Sequence, residues 1–235
     1  MIDPRPFARL GGADHGWLRA RHHFSFAGYR DTARMGWGRL RVWNDDEIAP
    51  GTGFDPHPHR DMEIVTYVRD GAITHRDGLG NEGRTVAGDV QVMSAGTGIV
   101  HAEYNLEPAT TAIFQIWILP DRLGVAPCWG TRRFPTASRA GGFEVLASGR
   151  PADAGKAALP LHADAAVLAA NLPAGASCLH RLEPGRASYL VLARGAATVN
   201  GVALGMRDGV AIRDESSLTI VATAACELVL VDTAA

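Results

Sequence analysis

The chain has 235 residues, 46% hydrophobic and 20% charged, with a formal net charge of -2. That length is enough to bury a substantial core, and the near-neutral balance, with Lys and Arg scattered, argues against a broad nucleic-acid footprint. The 27 glycines and 13 prolines fit a turn-rich, all-β protein. Cys128, Cys178 and Cys226 are dispersed with no C-x-x-C spacing, which reads as free thiols in a reducing compartment. The opening MIDPRPFARLGG lacks the apolar run of a secretory signal, and no apolar stretch approaches the ~18 residues of a membrane helix. The cytoplasm is therefore the expected location.

Residues 1–16 read as irregular. Trp17 to Phe26 is an expected strand with Leu18, Ala20, His22, Phe24 and Phe26 on one face. His22 and His23 then point to opposite faces, one packed and one exposed, and cannot serve one metal. Trp37 to Asn44 is a second strand, with Leu40 and Val42 alternating against Arg39, Arg41 and Trp43. Asn44-Asp45-Asp46 and Pro50-Gly51 are loop signals. Glu63 to Arg69 is a strand, Asp70-Gly71 a hairpin turn and Ala72 to His75 the return. Asp77 to Asn81 (DGLGN) has no following helix and no Lys-Ser/Thr, so it is a turn and not a phosphate cradle. Val90 to Met93 and Ala112 to Leu119 are further strands, and Gly96-Thr97-Gly98 allows a tight bend before His101.

Residues 121–140, with two prolines and several arginines, read as a linker. Short strands then return at Ser188–Ala193, Ala196–Val199, Val210–Arg213, Leu218–Ala222 and Glu227–Val231, with Asn200-Gly201 as the clearest hairpin turn. The second half repeats the rhythm of the first, so a small all-β barrel, duplicated, is the economical architecture. The expected division is 1–130 and 131–235.

The chemistry is concentrated between Gly51 and Asn105. His57 and His59 are one residue apart, as are His101 and Glu103, roughly forty residues later. On strands, residues two apart share a face. If the fold joins the two strands, three imidazoles and a carboxylate meet, a donor set suited to a mid-series divalent metal. The second half has only His162 and His180 and no such pair, so one metal is expected, in the first half.

Three stretches, His57 to Glu63 (HPHRDME), His75 to Asn81 (HRDGLGN) and Gly88 to Asn105, together with RHHFSFAGYRD from Arg21 to Asp31, resemble the pirin family of bicupins. The resemblance is dense from about residue 17 to 120 and only rhythmic after 140. It implies two tandem cupin (double-stranded β-helix, jelly-roll) barrels: a metal-binding one in 1–130 and a cupin-like one without ligands in 131–235. Against the general cupin pattern, Gly71 comes one residue late, Ser94 replaces a proline and two residues are inserted in the second motif. Many cupins take their carboxylate ligand from the position of Glu63. Strand parity alone does not choose between Glu63 and Glu103. The resemblance favours Glu103, with Glu63 as an orienting or salt-bridged residue. It implies Fe(II) as the metal, with Zn, Cu, Ni, Co or Mn compatible with the same donors.

Some bacterial pirin-like proteins are known as quercetin 2,3-dioxygenases. The resemblance therefore implies a metal-dependent enzyme that cleaves a flavonol with O2 and releases carbon monoxide and a depside, Glu103 doubling as catalytic base. The alternative is non-enzymatic. Animal pirins are iron-dependent nuclear cofactors of transcription factors, and a redox-sensing regulator with a protein partner is the corresponding expectation. A pocket for a planar ring system would discriminate; Trp37, Trp43 and Trp117 either line it or fill the core.

Overall fold

The computed structural model describes residues 1–235, and nearly every regular element is a β-strand, interrupted by four short 3-10 turns. The strands form two copies of one arrangement, a seven-stranded sheet closed against a four-stranded sheet. In the first copy the large sheet runs Cys128–Arg132, Val90–Ser94, Glu63–Asp70, Thr111–Ile118, Leu40–Ile48, Leu18–His22, Gly11–Asp14. Its small sheet runs Thr52–His59, Ile99–Asn105, Ala72–Asp77, Glu82–Val86. The second copy is built alike, its large sheet centred on Arg186–Arg194, Cys226–Ala234 and Ala165–Leu172. These are the two cupin-type barrels that the sequence implied.

The two large sheets turn their outer faces toward each other. Val65, Tyr67, Phe114 and Ile116 of the first share one core of 24 buried residues with Val167, Tyr189, Val191 and Val229 of the second. The central strands of the large sheet, Glu63–Asp70 and Thr111–Ile118, are therefore buried on both faces, which is why IVTYV and AIFQIWI read as continuous apolar runs. Period two still sorts them. Ile64, Thr66 and Val68 face the first barrel's interior, while Glu63, Val65 and Tyr67 face the partner barrel.

Several expectations from sequence change at this interface. His22 and His23 are both buried, because the face expected to be exposed is covered by the second barrel. His22 donates to Asn44 Oδ1 at 2.9 Å, and His23 meets the Tyr189 hydroxyl at 2.8 Å. Asn44-Asp45-Asp46 is no loop but the middle of Leu40–Ile48. Asp45 is tolerated there because Arg69 and Arg207 both bind it. The expected linker contains the strand Cys128–Arg132, which pairs with Val90–Ser94 and spans the 130/131 boundary. Ile2–Arg5, read as irregular, is an edge strand of the second barrel's large sheet, paired with Gly209–Arg213.

Candidate metal centre

His57 and His59 lie on Thr52–His59, an outer strand of the small sheet. Pro56 and Pro58 alternate with them; an edge strand tolerates prolines because one side of its backbone needs no ladder partner. Ile99–Asn105 pairs on one side with this strand and on the other with Ala72–Asp77. In that register His57, His101 and Asp77 form one row across three strands. A bulge between His101 and Glu103 leaves Glu103 opposite Phe54.

The register brings the three histidines together. One ring nitrogen from each of His57, His59 and His101 lies within 4.8 Å of the others. His57 Nε2 and His101 Nε2 are 3.1 Å apart. Two nitrogens each about 2.1 Å from one ion and at right angles to it would be separated by about 3.0 Å, so this pair fits a shared metal. His57 Nδ1 lies 2.7 Å from the Asp55 carbonyl. A carbonyl only accepts, so Nδ1 carries the hydrogen and Nε2 keeps a free lone pair. Burial, with the neighbouring His57, holds His59 at a pKa of about 4. Burial, with His57, His59 and His75 close by, holds His101 far below the usual histidine range. Both are thus neutral, and able to ligate, at physiological pH.

Glu103 lies outside that trio. Its carboxylate is fully buried and held by three side chains: Oε1 accepts from Gln91 Nε2 at 2.6 Å and Thr66 Oγ1 at 3.1 Å, and Oε2 from Gln115 Nε2 at 2.7 Å. Burial raises its pKa to about 7, against the lowering pull of those hydrogen bonds. Glu63 points away from the histidines, into the inter-barrel face. Its Oε2 accepts from Ser94 Oγ at 2.7 Å and from the His162 backbone N–H at 3.1 Å, so its role is a joint between the barrels rather than an orienting group for a metal.

Sequence reasoning missed His75 and Asp77. His75 is buried, stacked on Trp129 with ring centroids 4.7 Å apart and planes 8° apart, and its Nδ1 is 3.4 Å from His101 Nδ1. The signal was present: His75-x-Asp77 is a third pair with the period-two spacing of the other two, masked because the motif also reads as a turn.

A cavity of about 510 Å³ opens beside His57 and His59. Trp17, Phe26, Phe54 and Trp117 line it, with Gln115. Its aromatics brace each other edge-on: Trp17 against Phe54 at 5.3 Å, Phe26 against Trp117 at 5.4 Å, and Trp117 against His59 at 5.0 Å. Of the three tryptophans considered, Trp117 lines the cavity; Trp43 is fully buried in the inter-barrel core, and Trp37 packs against it. Another cavity of similar volume lies against Phe7, Arg19, Arg21, Glu47 and Arg207. It holds no histidine, and Arg19 and Arg207 are already paired with Glu47.

Fold and site together define a bicupin with a three-histidine group capable of holding a metal. Residues 5–118 match the Pirin family model, and residues 145–233 match the model described as the quercetinase C-terminal cupin domain. A pirin-like protein of Caulobacter vibrioides is 64% identical over 234 residues, spanning 100% of both chains. The quercetin 2,3-dioxygenase of Escherichia coli strain K12 is 40% identical over 99% of this chain and 98% of its own. The crystal structure of the bacterial pirin YhhW from Escherichia coli in complex with nickel(II) superposes with a TM-score of 0.91, at 40% identity, covering 100% of this chain and 99% of that one. The chain belongs to the pirin family.

Proposed function

We propose that the protein is a metal-dependent dioxygenase that cleaves flavonols of the quercetin type with O2, releasing carbon monoxide and a depside. The observation that carries this reading is the aromatic-lined cavity of about 510 Å³ beside His57 and His59. Its volume falls in the range of small-molecule sites, about 300–1,000 Å³, and its aromatic lining matches a planar polyphenol. The quercetin 2,3-dioxygenase of Escherichia coli, similar over nearly the whole chain, supports the same substrate class. Fold alone would not, because one fold hosts many reactions.

His57, His59 and His101 hold one divalent transition metal, with Glu103 as the fourth ligand and Fe(II) as the expected ion; nickel in the related YhhW is in keeping with such donors accepting other ions. When bound, the metal supplies Lewis-acid activation and orientation of the flavonol 3-hydroxyl. Trp117 and Phe26 bind the ring system, and Gln115 places an amide between the cavity and Glu103. Glu103 takes the hydroxyl proton at Oε2 as the Gln115 amide releases that oxygen. Burial pushes that carboxyl up to about 7, and the charge of a bound metal would pull it back down and keep it ionised, ready to accept a proton. The barrel in 131–235 binds no metal and buttresses the first. The three free cysteines are in keeping with work in the cytoplasm.

The test is an oxygen-electrode assay with quercetin, using metal-stripped protein loaded anaerobically with Fe(II), Mn(II), Co(II), Ni(II) or Cu(II). At least one ion should give O2 uptake matched by flavonol loss and carbon monoxide release. Silence with all five overturns the enzymatic reading and leaves the redox regulator in its place.

A further inference from the structure

Behind His101 lies a chain of hydrogen bonds whose direction can be read from its far end. Asp77 Oδ1 accepts from the backbone N–H groups of Leu79 at 2.9 Å and Asn81 at 3.0 Å, and Oδ2 accepts from Asn81 Nδ2 at 2.9 Å. A carboxylate so surrounded by N–H donors is an acceptor for its next neighbour too, and that neighbour is His75 Nε2, 3.1 Å from Oδ2. Nε2 of His75 therefore carries the hydrogen, and its Nδ1 has only a lone pair to offer. Facing it at 3.4 Å is His101 Nδ1, which must then be the donor. Nε2 of His101 is left bare, aimed at the equally bare His57 Nε2 at 3.1 Å. Two lone pairs so placed repel each other unless a cation lies between them.

Surrounding residues hold the relay in place. The indole of Trp129 stacks flat on His75. It reaches there because Gly83 is the cross-strand partner of His75: a Cβ on Gly83 would come within 2.3 Å of the Trp129 ring. The turn from Gly78 to Asn81 supplies the N–H groups that fix Asp77.

We propose that His75 and Asp77 are positioning residues of the metal centre, a carboxylate–imidazole relay that locks His101 in the Nδ1–H tautomer and so presents Nε2 to the ion. The proposal rests on the metal-centre reading, but the tautomers are a property of the metal-free protein and can be measured without it. Outer partners of ligating histidines set ring orientation and basicity, and their loss costs about 10–100-fold in metal affinity.

The experiment combines long-range 1H–15N NMR of the histidine rings in metal-free protein with nickel(II) titration by chelator competition. Wild type should show His101 as the Nδ1–H and His75 as the Nε2–H tautomer. His75→Phe removes the acceptor and should mix the His101 tautomers while weakening nickel binding by about 10–100-fold. His75→Asn, whose Oδ1 can stand near the place of Nδ1, should restore both readouts; a merely space-filling role would favour Phe over Asn. Finding His101 as the Nε2–H tautomer in wild type overturns the relay, as does a His75→Phe protein with unchanged tautomer and affinity. Should His75→Phe fail to fold, the wild-type spectrum and the Asn variant still decide. If wild type binds no nickel at all, the metal-centre reading fails separately, and the spectra judge the relay alone.

Discussion

The two barrels share a strand plan and differ in what fills them. The strand Ile99–Asn105 of the first occupies the sheet position that Ser217–Ala222 holds in the second, and Thr52–His59 that of Ser177–Arg181. Where the first carries His101 and Glu103, the second turns Leu218, Ile220 and Ala222 into a core of 18 buried residues. In the first barrel a polar band of Thr66, Gln91, Glu103 and Gln115 lies among two small apolar clusters, of six and four residues. One barrel has given up packing to keep a carboxylate and imidazoles dry and hydrogen-bonded; the other is filled. Both rely on the core between them, which neither could bury alone.

Breaking the first interior should abolish chemistry before it abolishes the fold. His57→Ala or His101→Ala should lose nearly all bound metal by elemental analysis while retaining wild-type circular dichroism; full occupancy in both would remove these residues from the ligand set. Glu103→Gln keeps shape and an oxygen while removing charge. Metal should partly remain while flavonol turnover falls by about 10²–10⁴, the scale of a lost general base. Normal turnover with metal bound would end its role as base.

Breaking the second interior should do the reverse. Leu190→Ala or Leu228→Ala opens a cavity in the filled barrel and should cost about 2–5 kcal/mol in denaturant unfolding, with metal per folded molecule unchanged. Loss of metal from the folded variant would show that the barrels are functionally coupled.

The smallest effect is in pH. The folded protein protonates Glu103 at about 7, above the ordinary 4.5, so its contribution to stability is full below about 4.5 and lost as pH rises through about 7. In metal-free protein the stability difference between wild type and Glu103→Gln should therefore shrink by roughly 1–3 kcal/mol from pH 5 to pH 8. Asp153 of the second half runs the other way. Burial raises its pKa, but Arg150, Lys156 and Ser148 hold it low on balance. Its contribution is present above about pH 4 and lost in acid. A flat difference curve for Glu103→Gln would mean its carboxyl is not pushed upward.

Much of the fold was legible because hairpin turns and period-two alternation are local. Asp70-Gly71 turns with Gly71 at φ 72°, and His57, His59 and His101 share an interior because residues two apart share a face. The misreadings were buried polar residues. Asn44 to Asp46 look like a loop until Arg69 and Arg207 arrive from distant strands, and His23 looks exposed until Tyr189 covers it. The sequence by itself determined the duplicated all-β rhythm and the histidine pairs. Tertiary structure decided which face was inside. Glu63 and Glu103 both satisfied the alternation, but sheets buried on both faces give parity no sign; only the packing of one barrel on the other sends Glu63 to the joint and Glu103 inward. The link from the His75–Asp77 pair to His101 likewise exists only through cross-strand register, which a strand does not carry within itself.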